Sequence, residues 1–194
     1  MTELDSWHAQ VSEDIIEPER PIIDPHHHLW RMGTPYELED LWADTKAGHN
    51  ITGTVFIECG AEYRTDGPVA LQPVGETEYV VAQAKQARKG EAPGKPPILG
   101  IVSHADLTLG AAVVDVLQAH QESAEGLLRG IRHSTAFYPD PPAVDRYAGR
   151  VAELMLQPSF REGFAQLSSA GLSYDAWLLH TQITELTDLA RAFP

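Results

Sequence analysis

The sequence predicts an α/β fold made of five successive strand–helix units of the (β/α)8-barrel type. Three observations carry this. Apolar strand-like runs at residues 21–28, 51–59, 98–104, 127–133 and 172–180 alternate with stretches of helical periodicity. The runs are mostly continuous rather than alternating, as parallel strands covered on both faces are. Polar, titratable residues collect where the runs end, which is where barrel active sites lie. Right-handed βα repeats close either as a doubly wound sheet or as a barrel. No Gly-x-Gly-x-x-Gly opens the first helix, so a dinucleotide-binding sheet loses ground.

Each element has its own justification. Residues 1–20 form a polar leader. Residues 21–28 open with Pro21, Ile22 and Ile23 and close with Asp24-Pro25-His26-His27-His28. Residues 36–47 place Leu38, Leu41 and Trp42 on one helical face. The second run is rich in β-branched residues. A Gly- and Pro-bearing loop leads to a helix over 75–89. Its early Glu76 and Glu78 and late Lys85, Arg88 and Lys89 suit the helix dipole. A third helix spans 109–120. After a Pro-rich loop at 139–142, helical segments run to about residue 170, with Gly171 as the residue past the last helical turn. Residues 183–193 form a final amphipathic helix through Leu186, Leu189 and Ala190.

Composition narrows the class. The chain is 43% hydrophobic and 22% charged, with a net charge of −14. That charge argues against nucleic acid or anionic membrane as a partner, because no basic stripe exists to neutralise phosphates. The single cysteine, Cys59, forms no internal disulfide and fits a reducing, cytoplasmic setting. It reads as a small buried apolar residue. The acidic start lacks the apolar core of a signal peptide. No apolar stretch approaches membrane-spanning length.

The most informative motif is His26-His27-His28. Strand side chains alternate faces, so Asp24, His26 and His28 share one face and His27 the other. Two imidazoles two residues apart on a strand are about 7 Å apart at Cα, close enough to share one metal ion. On a helix they would diverge by about 200°. With nine histidines in 194 residues, the bare spacing is weak. Its position, where a β-branched run gives way to a loop, makes it specific.

The segment from Ile22 to Trp30 resembles the first-strand signature of the amidohydrolase superfamily. It is most similar to the branch of aminocarboxymuconate-semialdehyde decarboxylase, pyrone-dicarboxylate lactonase and the sugar lactonases. Segments 100–107, 129–133, 171–180 and 188–194 extend the resemblance over nearly the whole chain. The resemblance implies a (β/α)8 barrel of which residues 1–194 are one N-terminal portion. Strands six to eight are then missing, as in a C-terminally truncated member. Those strands carry the family's sixth-strand histidine and eighth-strand aspartate.

The expected activity is hydrolysis of a lactone, amide or related carbonyl in a small, carboxylated molecule. The alternatives are a metal-dependent decarboxylase using the same site, and a non-catalytic fragment or assembly piece. His26, His28 and His180 are the candidate ligands of a divalent ion, most simply Zn²⁺. A metal-free branch also exists, in which the pair polarises the substrate carbonyl. Asp24 either orients a ligand imidazole or holds neighbouring backbone. Arg132 suits bidentate carboxylate binding. Glu58 and His104, at the ends of strands two and three, are pocket candidates. His133 points away from Arg132 by parity. His8, His49 and His120 read as surface residues, and Trp7, Trp30, Trp42 and Trp177 as packing residues. A homo-oligomer is compatible with all of this.

Overall fold

The computed structural model describes residues 3–11, 13–90, 92, 94–138 and 151–194. After a short helix α1 (Glu3–His8), strands and helices alternate. They are β1 (Pro21–His27), α2 (Leu38–Thr45), β2 (Asn50–Ile57), α3 (Val74–Lys89), β3 (Ile98–His104) and α4 (Val113–Ser123). Then come β4 (Leu128–Arg132), α5 (Pro158–Ser169), β5 (Ser173–Asp175) and α6 (Ile183–Ala192). The strands pair in parallel in the order β1-β2-β3-β4-β5 and curl into a half-barrel. The Pro-rich loop expected at 139–142 lies outside the described residues. Among the described residues, no helix is long and apolar enough to cross a membrane.

The helices are held to the sheet by two apolar clusters. One joins Leu41 and Trp42 of α2 and Val80 and Ala84 of α3 to Phe56, Ile98 and Ile101. The other joins Val116 and Leu117 of α4, Phe160 and Leu167 of α5 and Leu189 of α6 to Ile131. Strand residues of opposite parity, such as Arg132, are therefore turned from the helices. Close approach at one crossing requires glycine. A Cβ on Gly163 would lie 2.1 Å from the Leu107 carbonyl oxygen, so α5 packs backbone to backbone on the turn before α4.

Most elements match the sequence reading, with shifts that have local causes. The third helix starts at Val113 rather than 109. Residues Leu107–Ala112 form a 3₁₀ stretch kinked at Gly110, whose φ is 61°. Gly171 takes φ 67° past α5. Leu172 N–H donates to Leu167 O and Gly171 N–H to Ser168 O, the paired bonds of a Schellman cap. The fifth strand is much shorter than 172–180. Its ladder ends at Arg132↔Asp175, where β4 also ends, and beyond it a single backbone bond from Thr135 N–H to Trp177 O at 3.0 Å joins the two segments.

Candidate active site at the strand ends

β1 carries the histidine motif through an irregularity that the sequence explains. Asp24 pairs with Thr54 and His27 with Phe56, so β1 spends one residue more than β2 between these points. Pro25 lies in that bulge and has no N–H to give the ladder. The Asp24 carboxylate accepts from the His26 backbone N–H at 3.1 Å. Of its two expected roles, Asp24 thus takes the backbone one and braces the bulge that presents His26.

Past the bulge, His26 and His28 converge. Their Nε2 atoms are 3.2 Å apart and their rings perpendicular. His28 Nδ1 lies 2.7 Å from the Ile57 carbonyl oxygen. A carbonyl only accepts, so Nδ1 carries the proton and neutral His28 aims the Nε2 lone pair at His26. Burial, followed by the positive field of Arg132 and the neighbouring His28, lowers the His26 pKa; Asp175 and Asp24 oppose this. His27 is buried against Phe56, and burial pulls its pKa to about 4.

Arg132 is buried, and its Nε donates to Asp175 Oδ1 at 2.7 Å. It does not stand open at the mouth as a bare carboxylate receptor, because β5 supplies an internal carboxylate for it. Asp175 falls inside the strand expected over 172–180 and is not among the candidate residues of the sequence; in the structure it is the last residue of β5.

Glu58 and His104 share a cavity of about 420 Å³ with Tyr63, Asp106 and His133. His133 lines this cavity, which Arg132 does not, and its ring lies 5.6 Å from that of Phe160 in the cluster that also holds Ile131, so it points away from Arg132 as strand parity predicts. The His133 ring lies 5.4 Å from that of His104. Behind the Glu58 loop, Glu76 of α3 is buried and accepts from the backbone N–H groups of Cys59 and Ala61 at 3.0 and 2.8 Å. Burial raises its pKa to about 7.

Other expectations are corrected. His180 is exposed in a 3₁₀ turn at the start of α6, five residues beyond β5, and does not join the pair. Among the described residues, no three His, Cys, Asp or Glu side chains gather as a metal site. His120 is fully buried, not on the surface. Cys59 is exposed, not buried, because it falls in the loop after β2. Trp42 packs in the core, while Trp7 and Trp177 are exposed.

Parallel strands in sequential order, helices on one face and polar groups gathered at the carboxyl ends define a protein of the (β/α)-barrel class. The chain belongs to the amidohydrolase family, whose model matches residues 23–194. It is 32% identical over 196 aligned residues to the uncharacterized protein y4mH of Sinorhizobium fredii, covering 89% of this chain and 59% of that protein. A Burkholderia multivorans amidohydrolase solved with bound zinc is similar in fold, with a TM-score of 0.53 and 17% identity, over 88% of this chain and 53% of that one. Amidohydrolase 2 of Bifidobacterium longum subsp. infantis is similar at a TM-score of 0.50 and 17% identity, over 90% and 58%. The chain thus spans between half and three-fifths of the length of these relatives.

Proposed function

We propose that this chain carries the strand-end site of a hydrolase acting on a lactone, amide or related carbonyl of a small, carboxylated molecule. In this reading it falls within the decarboxylase and lactonase branch of the family. The reading rests chiefly on the 3.2 Å approach of His26 Nε2 and His28 Nε2, with the His28 tautomer set by Ile57. Two nitrogens bound at 2.0–2.1 Å to one tetrahedral ion are about 3.3–3.4 Å apart, so the pair fits two positions on a divalent ion such as Zn²⁺. When bound, such an ion supplies Lewis acidity and lowers the pKa of water.

The remaining roles belong to the chain itself. Asp24 holds the bulge that aims His26. The Ile57 carbonyl keeps the His28 lone pair forward. Asp175 takes one of the five N–H donors of Arg132, and in this reading the guanidinium orients the substrate carboxylate. Glu58 and His104 line a cavity whose wall does not include the pair, and in this reading the substrate extends from the pair toward it.

Turnover of a panel of lactones, amides and carboxylate substrates, before and after chelation, tests this. Ester- or amide-bond hydrolysis that is lost in His26→Ala and His28→Ala supports the reading, and release of carbon dioxide instead would move it to decarboxylation. The missing third ligand among the described residues favours a second reading, in which this chain is an assembly piece without activity of its own. A folded protein inert toward the whole panel with Zn²⁺ supplied would select it.

A further inference from the structure

A directional chain of hydrogen bonds runs from the helices to the cavity wall. His104 Nδ1 lies 3.0 Å from the Arg132 carbonyl oxygen. The carbonyl only accepts, so the neutral ring is protonated at Nδ1 and has its lone pair on Nε2. The His104 carbonyl lies 2.9 Å from His120 Nε2. The same logic puts the His120 proton on Nε2 and makes its Nδ1 an acceptor. Thr77 Oγ1, 2.8 Å away, must then donate to it. With its proton committed, Thr77 Oγ1 accepts from Ser103 Oγ at 2.7 Å. Ser103, Thr77 and His120 are 2%, 1% and 0% exposed, so water does not compete for these bonds.

This arrangement ties α3 and α4 to the backbone of His104 through His120, and β4 to the His104 ring through the Arg132 carbonyl. It leaves the basic nitrogen of that ring on the side opposite Arg132 O, in a residue that lines the cavity. We propose that His104 is the proton acceptor of this cavity, toward a hydroxyl or a water, and that His120 is its positioning residue. The inference rests on reading the strand ends as the reactive site, but it concerns a group apart from the His26–His28 pair. On transfer, the O–H bond of the donor breaks and a bond from Nε2 to hydrogen forms. The electron pair stays on oxygen, and the imidazolium keeps its second proton on the Arg132 carbonyl. The groups facing His104 are Glu58 and Tyr63 after β2, Asp106 after β3, His133 after β4 and His120 on α4. The Glu58 and Asp106 carboxylates would stabilise the imidazolium.

Nitrogen-15 NMR of the full chain labelled at histidine tests this without any ligand. Neutral His104 is expected to show a protonated Nδ1 and a pyridine-type Nε2. His120→Gln, whose amide N–H still serves the His104 carbonyl, is expected to keep that tautomer. His120→Phe is expected to let both tautomers appear and to shift the His104 titration midpoint. Should His120→Phe fail to fold, Thr77→Val is expected to move the same signals in the same direction. Wild-type His104 protonated at Nε2 would overturn the first part. Identical His104 spectra in wild type and in every folded variant would overturn the second. Neither result depends on turnover, so the hydrolase reading stands or falls separately.

Discussion

His27 and His120 are buried and neutral, and both resist protonation until about pH 4. In the unfolded chain each titrates near 6.5. Between these values the unfolded state binds more protons, so the stability they contribute is complete above pH 6.5 and is lost as pH falls to 4. At about 1.4 kcal/mol per unit, each is worth a few kcal/mol at most. Glu76 acts in the opposite sense. Its raised value near 7 means the folded state binds the extra proton between pH 7 and its unfolded value of 4.5, so stability from this group grows as pH falls through that window. The two histidines together outweigh it. Urea midpoints are therefore expected to drop from pH 6.5 to 4, more steeply in Glu76→Gln, which removes the opposing group.

The ion pair of Arg132 and Asp175 is the other test at this scale. Removing one partner leaves a buried guanidinium without its carboxylate. Asp175→Ala is expected to cost about 2–3 kcal/mol in chemical denaturation, reduced because Asp175 is about a third exposed. Asp175→Asn should recover part of this loss by keeping an acceptor oxygen for Arg132 Nε.

At the scale of elements, the strand–helix alternation was legible because hydrophobic period and capping residues are local properties. Gly171 could be read as the stop of α5 for that reason. Schellman geometry at φ 67° means Gly171→Ala should cost about 1 kcal/mol in thermal or urea unfolding. What could not be read depends on neighbours. The length of β5 is set by where β4 stops pairing, and the bulge at Pro25 by how β1 lies on β2. His120 looked like a surface residue on a polar helix. It is buried, and its partners there, Thr77 and the His104 carbonyl, lie 43 and 16 residues earlier in the chain. Gly163 is a further case. A Cβ there meets the Leu107 backbone, so Gly163→Ala should push α5 from the turn before α4 and lower stability by more than 2 kcal/mol.

For the whole molecule, five parallel strands bring residues from four strands to one rim. His26 lies on β1 and His28 directly follows it, Glu58 follows β2, His104 ends β3 and Arg132 ends β4. The histidine pair was legible because strand parity survives the bulge in their favour. The third ligand assigned to His180 was not, since the short β5 leaves that residue at the start of α6. The chain covers 53–59% of the lengths of its relatives, and a half-barrel of this kind presents two outer strands, β1 and β5.

Metal analysis after incubation with Zn²⁺ and exhaustive buffer exchange tests the account at its centre. The folded wild type is expected to retain close to one equivalent of zinc, and the protein carrying both His26→Ala and His28→Ala to retain essentially none. Equal zinc content in the two, whether high or negligible, would contradict the claim that these two imidazoles share an ion.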